Sequence, residues 1–246
     1  MRNWISAVAG ALGGALLAVV VIFGAARQGW LPGTGGPVNI RDYLLSHPEI
    51  LSEMTDRLQM LQNAQDKAKA AAAMKKIGME AFFDPRIAFV TGPADAKKSV
   101  VEFYDYNCPY CRLSLPAVEK YYQQHKNDTR FSFIEFPIKG PDSIVAARVA
   151  LAARLQPEKY LALHFALMSE TDLVTETMIY AAAEKAGLDM TKLKSDMQKP
   201  EIDAAIAASK ALAARAGIDG TPTFIVNGVV HPGALDDDTL KSLAES

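Results

Sequence analysis

The sequence predicts an α/β fold with a helical insertion, preceded by a helical stalk and an N-terminal transmembrane helix. Three observations predict it. An uncharged apolar run opens the chain, and a long helical pattern with a thin apolar stripe follows. Beyond that, the order reads strand, helix, strand, several helices, hairpin, helix. At the end of the first of those strands stand Cys108 and Cys111, the only two cysteines among 246 residues.

Composition sets the bounds. Hydrophobic residues make up 50% and charged residues 22%, so the chain folds, into one or two domains. A net charge of -2 and a pI of about 6.1 give no electrostatic reason to expect a nucleic-acid partner. A chain this long builds a core without staples.

Residues 1–27 form the first segment. Ile5–Ala26 is nearly continuous apolar sequence, flanked by Arg2 and Arg27. At 1.5 Å per residue that run crosses a hydrocarbon layer of roughly 30 Å. Its length favours an uncleaved anchor over a signal peptide, whose apolar region spans roughly 7–15 residues, although Gly24-Ala25-Ala26 offers a small-residue cleavage site. Either reading exports the remainder, to a compartment where disulfides persist. Residues 28–39, rich in Gly and Pro, read as a linker.

Residues 40–80 form the stalk. Between Ile40 and Ile77, Leu44, Leu51, Met54, Leu58, Leu61, Ala68, Ala71 and Met74 fall near a three–four alternation, and Ser46 with Pro48 marks a cap or kink. A stripe so narrow suits pairing with copies of itself; the alternative is a helix lying along its own domain or free in solvent.

Residues 81–246 form the main domain. Ser99–Tyr104 and Phe131–Phe136 read as strands, and Leu113–His125 between them as a helix. Asp142–Arg154, Glu158–Ser169, Thr175–Ala186 and Ile202–Ala216 carry helical periodicity and make the insertion, about 140–216. Thr223–Val226 and Val229–His231 flank Asn227-Gly228, a hairpin turn, and Asp237–Ala244 closes the chain as a helix.

The cysteines are placed for chemistry. A disulfide between near neighbours closes a tiny loop and restrains the unfolded chain little. If a helix begins at the pair, Pro109 falls in its first turn, and the free amides and dipole there favour a thiolate at Cys108. Cys111, three residues on, comes within reach of that sulfur. A low-pKa, exposed Cys108 then attacks a substrate disulfide and Cys111 releases the mixed disulfide. Zinc needs four ligands; no second cysteine pair exists, and His47, His125, His164 and His231 are scattered, so no metal site is expected. No cofactor is implied either.

The strand–CPYC–helix element, with Gly220-Thr221-Pro222-Thr223-Phe224 far downstream, resembles the thioredoxin superfamily. The helical insertion makes the chain similar to DsbA-type thiol:disulfide oxidoreductases. FYDYNCPYC and RDYLLSHPEIL resemble the ScsC-like group, which carries an N-terminal oligomerising region. The resemblance implies that Cys108 is the nucleophile, Cys111 the resolving cysteine, and the two a disulfide when oxidised. It implies a cis peptide at Pro222, with Thr221 pairing to an extended substrate beside Pro109 and Tyr110. Glu102 matches a buried proton-transfer carboxylate of the family; strand alternation, which puts Glu102 and Tyr104 on one face, leaves an outward-facing Glu102 equally open. The partners implied are protein thiols and disulfides, a membrane redox partner, and further copies of the chain through residues 40–77. The location implied is the bacterial inner membrane facing the periplasm, or the soluble periplasm after cleavage.

Two departures stand out. Strongly oxidising members often carry His between the cysteines, where this chain has Pro109-Tyr110. Threonine at 221 resembles the isomerase branch. Isomerase or reductase activity therefore competes with oxidase activity. A chaperone or metal carrier on the same fold is the alternative outside redox chemistry.

Overall fold

The computed structural model describes residues 39–246; the apolar run and most of the expected linker lie outside them. Among the described residues no helix is long and apolar enough to cross a membrane. The chain divides after Asn63.

The expected stalk is two helices, α1 (Ile40–Ser46) and α2 (Glu49–Ile77). The break falls at Pro48, which has no amide to continue the ladder and keeps His47 out of the helical region (φ -129°, ψ 66°). Asn39 caps α1 by accepting from the Asp42 amide. Leu44, Leu51, Met54, Leu58 and Leu61 are all exposed. Near the other end of α2, Met74 is buried with Phe82 and Phe83 of a 3-10 turn, Met79–Phe83.

The body is a five-stranded sheet of β1 (Ala88–Thr91), β2 (Lys98–Tyr104), β3 (Thr129–Glu135), β4 (Thr223–Val226) and β5 (Val229–Pro232), in the order β1-β3-β2-β4-β5. Strands β2 and β3 are parallel, joined through α3 (Pro109–His125); the other pairs are antiparallel. The insertion is α4 (Pro141–Ala153), α5 (Pro157–Met168), α6 (Glu176–Lys185), α7 (Met190–Asp196) and α8 (Pro200–Ala216), and α9 (Asp237–Glu245) ends the chain. Pro109, Pro141, Pro157 and Pro200 open their helices, where a missing N–H costs nothing. The hairpin turn has Asn227 and Gly228 both at positive φ, 48° and 85°.

Alternation along β2 feeds two cores. Val101 and Phe103 join Ile134, Leu212 and Ile225 on one face; Val100 and Tyr104 join Phe131, Leu163 and Phe224 on the other. Elements cover both faces, so residues of either parity are buried from Val100 to Tyr104. That decides the open question at Glu102, which is 4% exposed.

Candidate active site

The central strand delivers the site. After Tyr104 the chain turns through Asp105-Tyr106-Asn107: the Asn107 amide donates to Asp105 Oδ1 (2.8 Å) and the Cys108 amide to the Asp105 carbonyl (3.0 Å). Cys108 is the N-cap of α3, still in extended backbone (φ -89°, ψ 116°), with Pro109 first in the helix. Its carbonyl accepts from the Cys111 and Arg112 amides, and this ties the dipeptide between the cysteines into the first turn.

The sequence-predicted residues come together here. The Thr221–Pro222 peptide is cis. The Cys108 thiol donates to the Thr221 carbonyl at 3.0 Å. Pro222 is buried behind it, whereas Pro109 and Tyr110 stand exposed at the mouth, Tyr110 by 64%. One expectation is corrected: Cys108 is not an exposed thiol but only 1% accessible, because the peptide at 221–222 closes over its sulfur.

Electrostatics separate the two thiols. Both are free. A hydrogen bond from the Cys111 thiol, helped by the Thr221 side chain and the amides of Cys111 and Tyr110, brings Cys108 down to about 5 against the opposing effect of burial. Cys111 is raised, first by burial and then by its bond to Cys108 and the charge of Glu102. Glu102 is itself raised to about 8, mainly by burial and then by the Cys108 charge. Near neutrality the arrangement is one thiolate, one thiol and a carboxylic acid. The Thr221 hydroxyl is buried with no hydrogen-bond partner.

Three residues that the sequence did not single out build the surroundings. Asp105 Oδ2 accepts from the amides of Ile138 (2.7 Å) and Lys139 (2.8 Å), and its Oδ1 from Ser143 (2.7 Å). Asn107 accepts from the Val174 amide (2.7 Å) and donates to the Val174 carbonyl (3.3 Å). Arg112 donates to the carbonyls of Tyr106 and Thr171 and to Asn107 Oδ1. The available signal was Asp-x-Asn directly ahead of the cysteines, a pair of turn formers. Behind them lies a polar core. Tyr104 and Tyr106 donate to Glu135 Oε1, Tyr160 meets Tyr104 (2.7 Å), and Tyr106 meets His164 Nδ1 (3.2 Å). Burial raises Glu135, against the hydrogen bonds from Tyr104 and Tyr106, and lowers His164 to about 3, so the imidazole is neutral.

A family model, the DSBA-like thioredoxin domain, matches residues 99–245. The chain belongs to the DSBA-like thioredoxin family. Ahead of this DSBA-like domain, residues 39–65 match the N-terminal domain of the copper resistance protein ScsC. A thioredoxin-like oxidoreductase from Silicibacter pomeroyi DSS-3 is 40% identical, with a TM-score of 0.63 over 68% of this chain and 96% of its own. Proteus mirabilis ScsC in a transitional conformation is 30% identical, with a TM-score of 0.63 over 84% of this chain and 90% of its own. The Na(+)/H(+) antiporter NhaA of Herminiimonas arsenicoxydans is 30% identical over 66% of this chain. The chain spans only 26% of that curated relative's length.

Proposed function

We propose that the chain is an exported thiol:disulfide oxidoreductase acting on proteins through Cys108 and Cys111. One observation carries this reading: a depressed Cys108 thiol beside a raised Cys111 thiol, opposite the Thr221–Pro222 peptide. In the reducing direction the Cys108 thiolate attacks a substrate disulfide. A Cys108–substrate disulfide forms and one substrate thiolate leaves. Cys111 then gives up its proton and attacks the Cys108 sulfur, and the second substrate thiolate leaves. Two electrons have passed to the substrate and the enzyme holds a disulfide; oxidation of a substrate dithiol is the reverse. Glu102, once ionised, accepts the Cys111 proton. Thr221 presents backbone to an extended substrate, and Pro109 and Tyr110 flank it.

Thr221 and the exposed stripe on α1 and α2 support a second reading within redox chemistry: an isomerase or reductase working as an oligomer through residues 40–77. A membrane redox partner keeps the pair oxidised in the first reading and reduced in the second. Residues 5–26 hold the protein in the inner membrane facing the periplasm, or direct it to the periplasm if removed.

The deciding experiment incubates the full chain with a reduced and with a scrambled disulfide protein and measures the potential of the pair. Turnover that vanishes in Cys108→Ala is expected. Turnover that persists there would overturn the assignment, whereas unchanged peptide binding after loss of both thiols, with no redox turnover, would leave a chaperone or carrier instead.

A further inference from the structure

The turn that carries Cys108 is tied to a distant piece of the insertion. Asn107, next to Cys108, exchanges two hydrogen bonds with the backbone of Val174, and Arg112, next to Cys111, reaches the carbonyl of Thr171. Both ends of the segment Thr171–Val174 are therefore fastened to the cysteine turn. Within it Val174 is buried, but Leu173 is 57% exposed. An apolar side chain on a pinned backbone, facing water, has already lost much of the backbone entropy that a binding contact would cost.

Resting on the thiol–disulfide reading above, we infer that Asn107 and Arg112 are positioning residues and that Leu173 is a specificity residue, contacting an apolar side chain of an extended substrate peptide. The reach follows from the chain. A side chain-to-backbone pair separates Cα atoms by about 6 Å, and one virtual bond of 3.8 Å on each side puts Cys108 and Leu173 within roughly 15 Å. At about 3.3 Å per residue, the apolar partner sits no more than about four residues from the substrate cysteine. Tyr110 and Leu113, exposed one turn apart on α3, extend the apolar surround. The contact acts on binding, not on the sulfurs, so it appears in KM.

The test uses full-length protein, dithiothreitol as reductant, and peptides whose single cysteine is disulfide-linked to glutathione. The peptides carry one leucine at one of the first five positions to either side, or serine throughout. The wild type should prefer one leucine peptide over the serine peptide by about fivefold, chiefly in KM. Leu173→Ser should erase that preference, Leu173→Met should keep it, and Leu155→Ser, an exposed control, should leave it alone. Asn107→Ala, with Leu173 intact, should weaken it while circular dichroism shows a folded chain. A preference that survives Leu173→Ser, or a wild type indifferent to leucine, overturns this inference alone. Absence of turnover on every peptide removes the oxidoreductase reading together with it.

Discussion

Cys108 Sγ lies 3.0 Å from the carbonyl oxygen of Thr221, a residue 113 positions further along the chain. The thiol donates to that carbonyl, and the Thr221 hydroxyl beside it has no partner. Ionisation reverses this balance. The thiolate loses the carbonyl as an acceptor and gains the hydroxyl as a donor, alongside the Cys111 thiol that does most to depress it.

The two cysteines should therefore react in different pH ranges. Alkylation of the reduced protein by iodoacetamide should rise through about pH 5 and modify Cys108 alone, as read by mass spectrometry. Cys111, its thiol raised by burial, should stay unmodified through neutrality. Cys111→Ala should remove the strongest donor to the thiolate, move the Cys108 midpoint upward and trap mixed disulfides with substrates.

Thr221→Val tests the hydroxyl. Removing one donor to the thiolate should lift the Cys108 midpoint by about one unit. The reduced form loses that stabilisation, so the couple should become less oxidising by about 30 mV. The stability effect changes sign with pH. A depressed thiol pKa stabilises the reduced protein fully above the unfolded value, near 9, and this stability is lost as pH falls through about 5. The variant should be less stable than wild type at pH 9. Below pH 5, where the wild-type hydroxyl is a buried orphan, it should be equally or more stable in thermal melts.

Glu102→Gln isolates the carboxylate. Its raised pKa means that folding holds its proton: the penalty on the charged form is absent below about 4.5 and grows as pH rises toward about 8. In the reduced protein this loss of stability, up to about 1.4 kcal/mol per pH unit, opposes the gain from the Cys108 thiolate. The glutamine variant should therefore gain stability with rising pH more steeply than wild type. If Glu102 takes the Cys111 proton, resolution of the mixed disulfide should slow by about tenfold to a hundredfold in stopped flow, without its inflection near pH 8. An unchanged resolution rate would leave Glu102 a purely structural acid.

Asp105→Ala addresses the frame of the site. The carboxylate accepts from the Asn107, Ile138 and Lys139 amides and the Ser143 hydroxyl, so alanine strands four donors in a buried place. At about 1 kcal/mol each, the loss is about 3–5 kcal/mol in urea denaturation. Asp105→Asn retains one acceptor oxygen and should fall between.

How much of this was legible follows from range. Strand β2 and the helix start at Pro109 were readable because SVVEFY and Cys-Pro act locally, within a few residues. Strand β1, with four residues, and α7, with seven, are too short for periodicity to register. Alternation placed Glu102 on a face but could not say that helices cover it. Asp105, Asn107 and Arg112 escaped because each also bonds a group 33 to 67 residues away, where no local pattern reaches.

The stalk offers the remaining prediction. Leu51, Met54, Leu58 and Leu61 recur at three- and four-residue spacing on one stripe of α2, and all are exposed. Between helices such a stripe makes the seam of a coiled coil; left in water, each leucine forgoes about 1.5–3 kcal/mol of burial. Self-association through this stripe predicts that full-length protein sediments as an oligomer, and that Leu58→Glu shifts it toward monomer by placing a charge in the seam. A substitution at an exposed position costs the single chain little, so its thermal stability at low concentration should hold within about 0.5 kcal/mol. Small-disulfide turnover per Cys108 should be unaffected, whereas unscrambling of a mispaired protein should fall if neighbouring sites cooperate. A wild type that sediments as a monomer at every concentration would remove the oligomer and, with it, the structural argument for isomerase over oxidase.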